Sequence, residues 1–300
     1  MWSESFFRSP PEEAAICWVG FSPDGTRVAV ATESGWVIVY SLEDLSEICR
    51  ELVHSATITD GKWSSDSNFI LTASNDRTAR LLLSENLQNQ VTYVGNKAAV
   101  LSCDITRDNS RVATGGRDIS LRIYETTSKD EIAFVPAHTE QIFSVSFSHD
   151  GRFVFTASAD TLCRIWEVNS LICVKSFVVS HQIILHGTFS PNSCFFLTLS
   201  ADSCVRVTSV HSGTIVRDLK GWRSEGRVAV GGFAKYKGKA EVYAANEEGQ
   251  VIGWDLDKGE VSWTVDSPSP LSLAVDINPS GNLIAVGGGP DSRCLALYRR

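Results

Sequence analysis

Between Gln141 and Val178 the alternation of apolar and polar side chains is easiest to follow. Ile142 to Phe147 is an apolar run closed by the turn residues Ser148, His149, Asp150 and Gly151. Arg152 to Ser158 alternates and closes at Ala159 and Asp160. Leu162 to Val168 alternates again, and after Asn169 and Ser170 a fourth run spans Ile172 to Val178. Alternation with a period of two puts one set of side chains on each face of a strand, and β-branched and aromatic residues fit that pleated surface. Short runs of this kind, with turn residues every ~8 to 12 positions, predict four strands per stretch and an all-β fold. No segment of the chain sustains a helical period.

The four-run unit recurs. Asp76, Asp118, Asp160 and Asp202 stand 42 residues apart, as do the bulky apolar residues Phe21, Trp63, Ile105, Phe147 and Phe189. A fixed step of this size marks a repeat architecture, in which each unit buries its apolar faces against its neighbours. Seven units follow, with first strands ending near Phe21, Trp63, Ile105, Phe147, Phe189, Phe233 and Ile277; the last two steps are 44 residues. The expected spans are 12–53, 54–95, 96–137, 138–179, 180–220, 221–266, and 267–300 together with 2–8, all within one domain covering 1–300. The seventh unit has only three runs, at 271–277, 282–288 and 293–298. An unpaired strand edge is a liability, so the segment from Trp2 to Arg8 is expected to supply the missing strand.

Composition narrows the function classes. A chain of 300 residues would ordinarily suggest two domains, but a closed ring uses every repeat. The formal net charge is −8, with 43% apolar and 21% charged residues. Unspecific attraction to nucleic acid or to an anionic membrane needs clustered positive charge, which the acid excess opposes. No apolar run approaches the roughly 20 residues of a membrane span. The start, Met1 to Arg8, lacks a basic segment followed by an apolar one, so no signal peptide is expected. The eight cysteines include no Cys-x-x-Cys and mostly sit in apolar runs. They read as reduced thiols of a cytoplasmic or nuclear protein.

The fourth repeat carries a family signature. It reads Ala137-His138, then Ser144 to Gly151, then Thr156 to Asp160, then Arg164-Ile165-Trp166. These segments resemble a WD repeat, whose pattern is Gly-His, an inner strand ending in Phe-Ser-Pro-Asp-Gly, then Ser-x-Asp and Trp-Asp. The first repeat keeps Phe21 to Gly25, and the fifth keeps Phe189-Ser190-Pro191 and Ala201-Asp202. The resemblance implies a seven-bladed β-propeller of four-stranded antiparallel blades, the last closed by the N-terminal strand. It also implies a hydrogen-bonded chain of His, Ser or Thr, Asp and Trp inside a blade. Only the fourth repeat has the full set: His138, Thr156 or Ser158, Asp160 and Trp166. Elsewhere the Gly-His survives as Val53-His54 and Ser180-His181. Tyr40, Leu82, Tyr124, Thr208 and Tyr298 stand at the Trp position, which only Trp254-Asp255 otherwise keeps. The fifth blade, with Thr208, is expected to be less well braced.

Candidate chemistry is sparse. His138, Ser158 and Asp160 are the residue types of a hydrolase triad, but that chemistry also needs an exposed nucleophile and an oxyanion hole. The resemblance gives them a structural role, so no catalysis is expected. His181, His186, Cys194 and Cys204 lack zinc-ligand spacing, and no metal or cofactor is expected. At the narrow mouth of the channel the resemblance places one residue per blade: Cys17, Thr59, Leu101, Phe143, Leu185, Ala229 and Leu273. Leu101, Phe143, Leu185 and Leu273 would form an apolar seat for an anchor side chain; the alternative is that they pack against adjacent blades. Trp222 and Arg223 would stand at the rim, unless Trp222 folds back on its own blade. Glu140 and Gln141 would flank the seat, and Arg77, Lys97 and Arg117 would attract an acidic stretch. The expected role is a scaffold, a single propeller within a hetero-complex that binds a protein partner through a peptide segment. An alternative is an RNA-associated propeller of a ribosome-assembly or splicing complex. It rests on the basic-aromatic patch Lys235, Tyr236, Lys237 and Lys239; a solvated loop is the plainer account of that patch.

Overall fold

A computed structural model describes residues 2–8, 14–222, 228–267, 274–289 and 294–300, with the backbone alone at 3–8 and 229. Its strands form seven four-stranded antiparallel sheets set as the blades of a propeller, with no helix among the described residues. In the first six blades the strands pair in chain order. Blade one, for example, runs Ile16–Phe21, Arg27–Thr32, Trp36–Ser41 and Glu47–Leu52. The seventh blade joins the two ends of the chain. Ala274–Ile277, Leu283–Gly287 and Leu295–Arg299 are followed on the outside by Ser3–Arg8, with Ser3 opposite Arg299 and Arg8 opposite Leu295.

Hydrophobic burial follows the seams between blades. Seven clusters of buried side chains are present among the described residues, and each draws on two adjacent blades. One combines Ala29, Val37 and Val39 of blade one with Ile58, Ile70 and Leu82 of blade two. Another combines Leu197 and Val207 of blade five with Val242 and Trp254 of blade six. Each sheet therefore covers its faces only when both neighbours are in place, which is why a repeat array folds as one cooperative unit.

Turn geometry keeps the repeat period. Leu45, Leu87, Lys129, Leu171 and Gly213 recur at the 42-residue step, all with positive φ between 49° and 72°. Gly35, Arg77, Ile119, Thr161 and Ser203 form a second such column. A left-handed residue closes these tight hairpins, and glycine takes that conformation most easily. Most blades hold it without glycine, so the surrounding blade structure imposes the turn.

The antiparallel hairpins sort the loops onto two faces. The inner strands are Ile16–Phe21, Ile58–Trp63, Val100–Ile105, Ile142–Phe147, Ile184–Phe189, Val228–Tyr236 and Ala274–Ile277. The face where these strands begin is here the entry face. It carries the loops that join successive blades and the turns between second and third strands. The opposite, exit face carries the hairpins between first and second strands.

Candidate interaction face and central channel

Six inner strands contain a β-bulge at the same place. Their pairing registers slip between Ile16 and Trp18, Ile58 and Asp60, Val100 and Ser102, Ile142 and Ser144, Ile184 and His186, and Val228 and Val230. The extra residues are Cys17, Thr59, Leu101, Phe143, Leu185 and Ala229, the column singled out from the sequence. A bulge leaves one residue unpaired and re-aims its side chain. Cys17, Thr59, Leu101, Phe143 and Leu185 are half-buried and line the central channel, a cavity of about 690 Å³. Three successive blades thus bring Leu101, Phe143 and Leu185 to the channel entry. Leu273 and Arg223 lie outside the described residues.

The loops of the entry face distribute charge unevenly around this seat. Arg77, Lys97 and Arg117 are exposed on blades two and three and make no ion pair among the described residues. Glu140 is exposed and Gln141 half-buried on blade four. Trp222 turns inward. Its ring meets Trp254 of its own blade edge-on at 5.5 Å, and its indole nitrogen is buried without a partner among the described residues. Trp36 is half-buried, with the Arg50 guanidinium 6.0 Å from its ring centroid.

Below the seat the channel wall is polar in a way the sequence reading missed. Ser102 donates to Asp60 at 2.7 Å, and the same carboxylate accepts the Cys103 amide at 3.1 Å. Ser102 accepts the Val145 amide at 3.1 Å, Asp104 the Phe147 amide at 2.6 Å and Asp276 the Phe21 amide at 2.8 Å. An inner strand faces the channel with an unpaired edge, and a buried unpaired amide is costly. Blades two, three and seven therefore each satisfy the edge of the next. The signal was available as polar residues one and three positions after the bulges of blades two to five, at the same 42-residue step. Trp18 occupies that position in blade one. Its ring lies against Gly20 and Gly61, where a Cβ would come within 2.4 and 2.7 Å of the indole.

The wall is also charged. Burial pushes the Asp60 carboxyl up to about 6 and raises Asp104 and Asp276. Asp104, then Asp60 and Asp276, hold the Lys62 ammonium above its ordinary range against desolvation. Lys62 stays exposed to the lumen although the channel walls enclose it. Burial, reinforced by Lys62, lowers His186 to about 4. His181, by contrast, is exposed, and no cluster among the described residues could hold a metal ion.

The fourth blade builds the hydrogen-bonded chain through Thr156. Trp166 donates to the Thr156 hydroxyl at 2.9 Å, which lies 2.7 Å from His138 Nε2, and His138 Nδ1 reaches Asp160 at 2.9 Å. Those roles fix His138 as the neutral Nδ1–H tautomer. Ser158 lies outside the chain and donates instead to the Gln141 carbonyl at 2.9 Å. The second blade builds three of the four members: Thr72 to His54 at 2.9 Å and His54 to Asp76 at 2.9 Å, with Leu82 at the Trp position. In the fifth blade Ser180 fills the histidine position and donates to Asp202 at 3.1 Å. Thr198 and Thr208 keep buried hydroxyls without a partner among the described residues. Aromatic packing compensates there: Phe196 lies 5.0 Å from Phe155 and 5.1 Å from Phe177.

These shifts fix a pH dependence. Burial lowers His138 and His186 to about 4 and lowers His54 as well. In the unfolded chain a histidine titrates near ~6.5, so the folded state binds fewer protons below that pH. The stability that depends on neutral histidines is complete above about pH 6.5 and is lost as pH falls toward about 4. Asp60, Asp104 and Asp276 act with the opposite sign, because raised carboxyls relieve their burial cost as pH falls, Asp60 through about 6. The larger shifts of His138 and His186, with His54 beside them, outweigh these carboxyls, and the denaturation free energy should fall by on the order of 2 kcal/mol between pH 7 and 5. Urea titrations at the two pH values check this, and a constant or rising free energy would refute it.

The basic-aromatic patch lies on the exit face. Lys235, Lys237 and Lys239 are exposed at the hairpin of blade six, and Tyr236 is half-buried beneath Arg300, whose guanidinium carbon is 4.0 Å from the ring centroid.

Comparison with known proteins agrees with this architecture. The family model described as WD domain, G-beta repeat matches residues 46–81, 87–125 and 129–167. COMPASS component SWD3 of Saccharomyces cerevisiae is 29% identical over 122 residues, 40% of this chain and 38% of that protein. Eukaryotic translation initiation factor 3 subunit I of Homo sapiens is 26% identical over 127 residues, 42% of this chain and 39% of that protein. WD repeat-containing protein 1 of Mus musculus is 30% identical over 89 residues, 26% of this chain and 15% of that protein. The matched stretches thus span well under half the length of these relatives. Three matched WD repeats within residues 46–167, seven four-stranded blades and the His138–Thr156–Asp160–Trp166 chain make this protein a seven-bladed β-propeller similar to the WD-repeat proteins.

Proposed function

We propose that this protein is a non-catalytic scaffold, a subunit of a larger assembly in the cytoplasm or nucleus, that holds a peptide segment of a partner at the entry of its channel. One observation carries the reading. Leu101, Phe143 and Leu185, from three successive blades, are turned by bulges to the channel entry and remain only half-buried. Adjacent half-exposed apolar groups within a concave, polar-rimmed site suit an apolar anchor side chain. Arg77, Lys97 and Arg117 on the neighbouring loops favour acidic residues beside that anchor. Two relatives, a component of COMPASS and a subunit of initiation factor 3, are by name parts of assemblies.

Phe143→Glu puts a charge in the seat, and desolvating it on binding costs several-fold to many-fold in affinity. Affinity purification from cells, followed by mass spectrometry, should lose a small set of partners in the variant. Circular dichroism and the melting curve should match the unsubstituted protein. A folded variant that keeps every partner removes the entry face from consideration.

A further inference from the structure

The exit face carries a second feature that the entry-face reading does not use. In blade six the first hairpin is longer than its counterparts, with strands of nine and eight residues, Val228–Tyr236 and Lys239–Asn246. The inner strands of the other blades have six residues or fewer. The hairpin therefore projects, and it closes through a tight turn with Lys237 at φ 48° and Gly238 at φ 82°.

The projection is braced. Arg300 stacks on Tyr236 at 4.0 Å and bonds both carboxylate oxygens of Glu241 at 2.9–3.0 Å. Glu241 is 4% exposed and also accepts the Trp263 indole at 3.1 Å. A buried ion pair with this many hydrogen bonds fixes position more than it adds stability. The hairpin tip is thus held on a rigid platform.

A cavity of about 370 Å³ opens between this tip and the outermost strand of the blade, Val261–Asp266. Its lining includes Lys237, Lys239 and Lys258, all exposed and without an ion pair among the described residues. Of the carboxylates there, Glu241 is taken by Arg300 and Trp263, and Asp255 caps the amides of Asp257 and Lys258 at 3.0 Å. With Glu241 neutralised by Arg300, Asp255 and Glu260 face three lysines, a local excess of one positive charge in a chain of net charge −8. Beside it Val261 is 44% exposed, on a strand that ends its sheet.

We propose that this pocket is a second binding site, which takes an acidic segment of a partner protein in extended form. Separated lysines are point charges that suit carboxylates spaced along a chain, whereas a single phosphate is gripped better by the planar fork of arginine. The free edge at Val261 offers backbone pairing to an extended segment. Nucleic acid is disfavoured by the same geometry. Sequence-tolerant binding of single strands stacks bases on open aromatic faces, and the Tyr236 ring is already covered by Arg300. The propeller would then join two partners, one on each face.

The test uses the full chain with Arg77, Lys97 and Arg117 changed to Glu, so that the entry-face cations contribute nothing. A fluorescent decaglutamate peptide and decauridylate RNA are titrated by anisotropy at low salt. Decaglutamate should bind, and the further changes Lys237→Glu, Lys239→Glu and Lys258→Glu should weaken it about tenfold, as three exposed charge contacts would. Phe143→Glu should leave it unchanged, which separates this site from the entry face. The proposal is overturned if the peptide fails to bind, if charge reversal on the hairpin changes nothing, or if the RNA binds more tightly than the peptide.

Discussion

Deleting residues 1–9 is expected to lower the melting temperature by about 10 °C or more, the largest effect of any terminal change. The Ser3–Arg8 strand is the outer member of the seventh blade. Without it the strand Leu295–Arg299 becomes an unpaired edge. Leu295 and Leu297, each at most 2% exposed, lose one flank of their cover. The Trp2 ring, edge-on to Trp263 at 5.2 Å, is lost as well. Uncovering a few such side chains costs roughly 5 kcal/mol. The ring retains a second tie between its ends, the Phe21 amide bonded to Asp276 at 2.8 Å, so the truncated chain should still fold. A truncated protein that melts with the full chain would show that the outer strand contributes nothing to closure.

The second large effect is a contrast between two equivalent threonines. Thr156→Val should cost about 3 kcal/mol, because the Trp166 indole and the His138 ring would both lose a buried partner. Thr198→Val, at the same position one blade later, should be neutral or stabilise by up to about 1 kcal/mol. The Thr198 hydroxyl is fully buried and has no partner among the described residues, so an isosteric methyl removes a desolvation cost. Urea denaturation of the two variants measures both values. Equal costs would mean that the hydrogen-bonded chain in blade four does not brace it.

That contrast also marks how far sequence reading reaches into the blades. The residues at the four chain positions could be read from the repeat, and the fourth blade could be singled out as the complete one. The choice between Thr156 and Ser158 could not, because both sit two residues apart on one strand and face the same side. Only the packed blade shows that the indole of Trp166 reaches Thr156 while Ser158 turns to the loop at Gln141. In the fifth blade the histidine position falls on Ser180 rather than on His181, a one-residue offset that the dipeptide match concealed.

Strand number, blade number and the borrowing of the N-terminal strand were determined by the sequence alone. They depend on a period of two within strands and of 42 between repeats, and both are local or strictly recurrent. A missing fourth run in the last repeat leaves one physical solution, since an open edge must be covered. The column that reaches the channel entry was implied by the family resemblance, although the bulge that turns it there was not legible. What only the tertiary structure decided is which side chains from different blades meet. The amide latches of Asp60, Asp104 and Asp276, the inward turn of Trp222 and the stacking of Arg300 on Tyr236 join residues far apart in sequence. No periodicity encodes such meetings, because they depend on the distance and angle between packed sheets rather than on the order of residues within one.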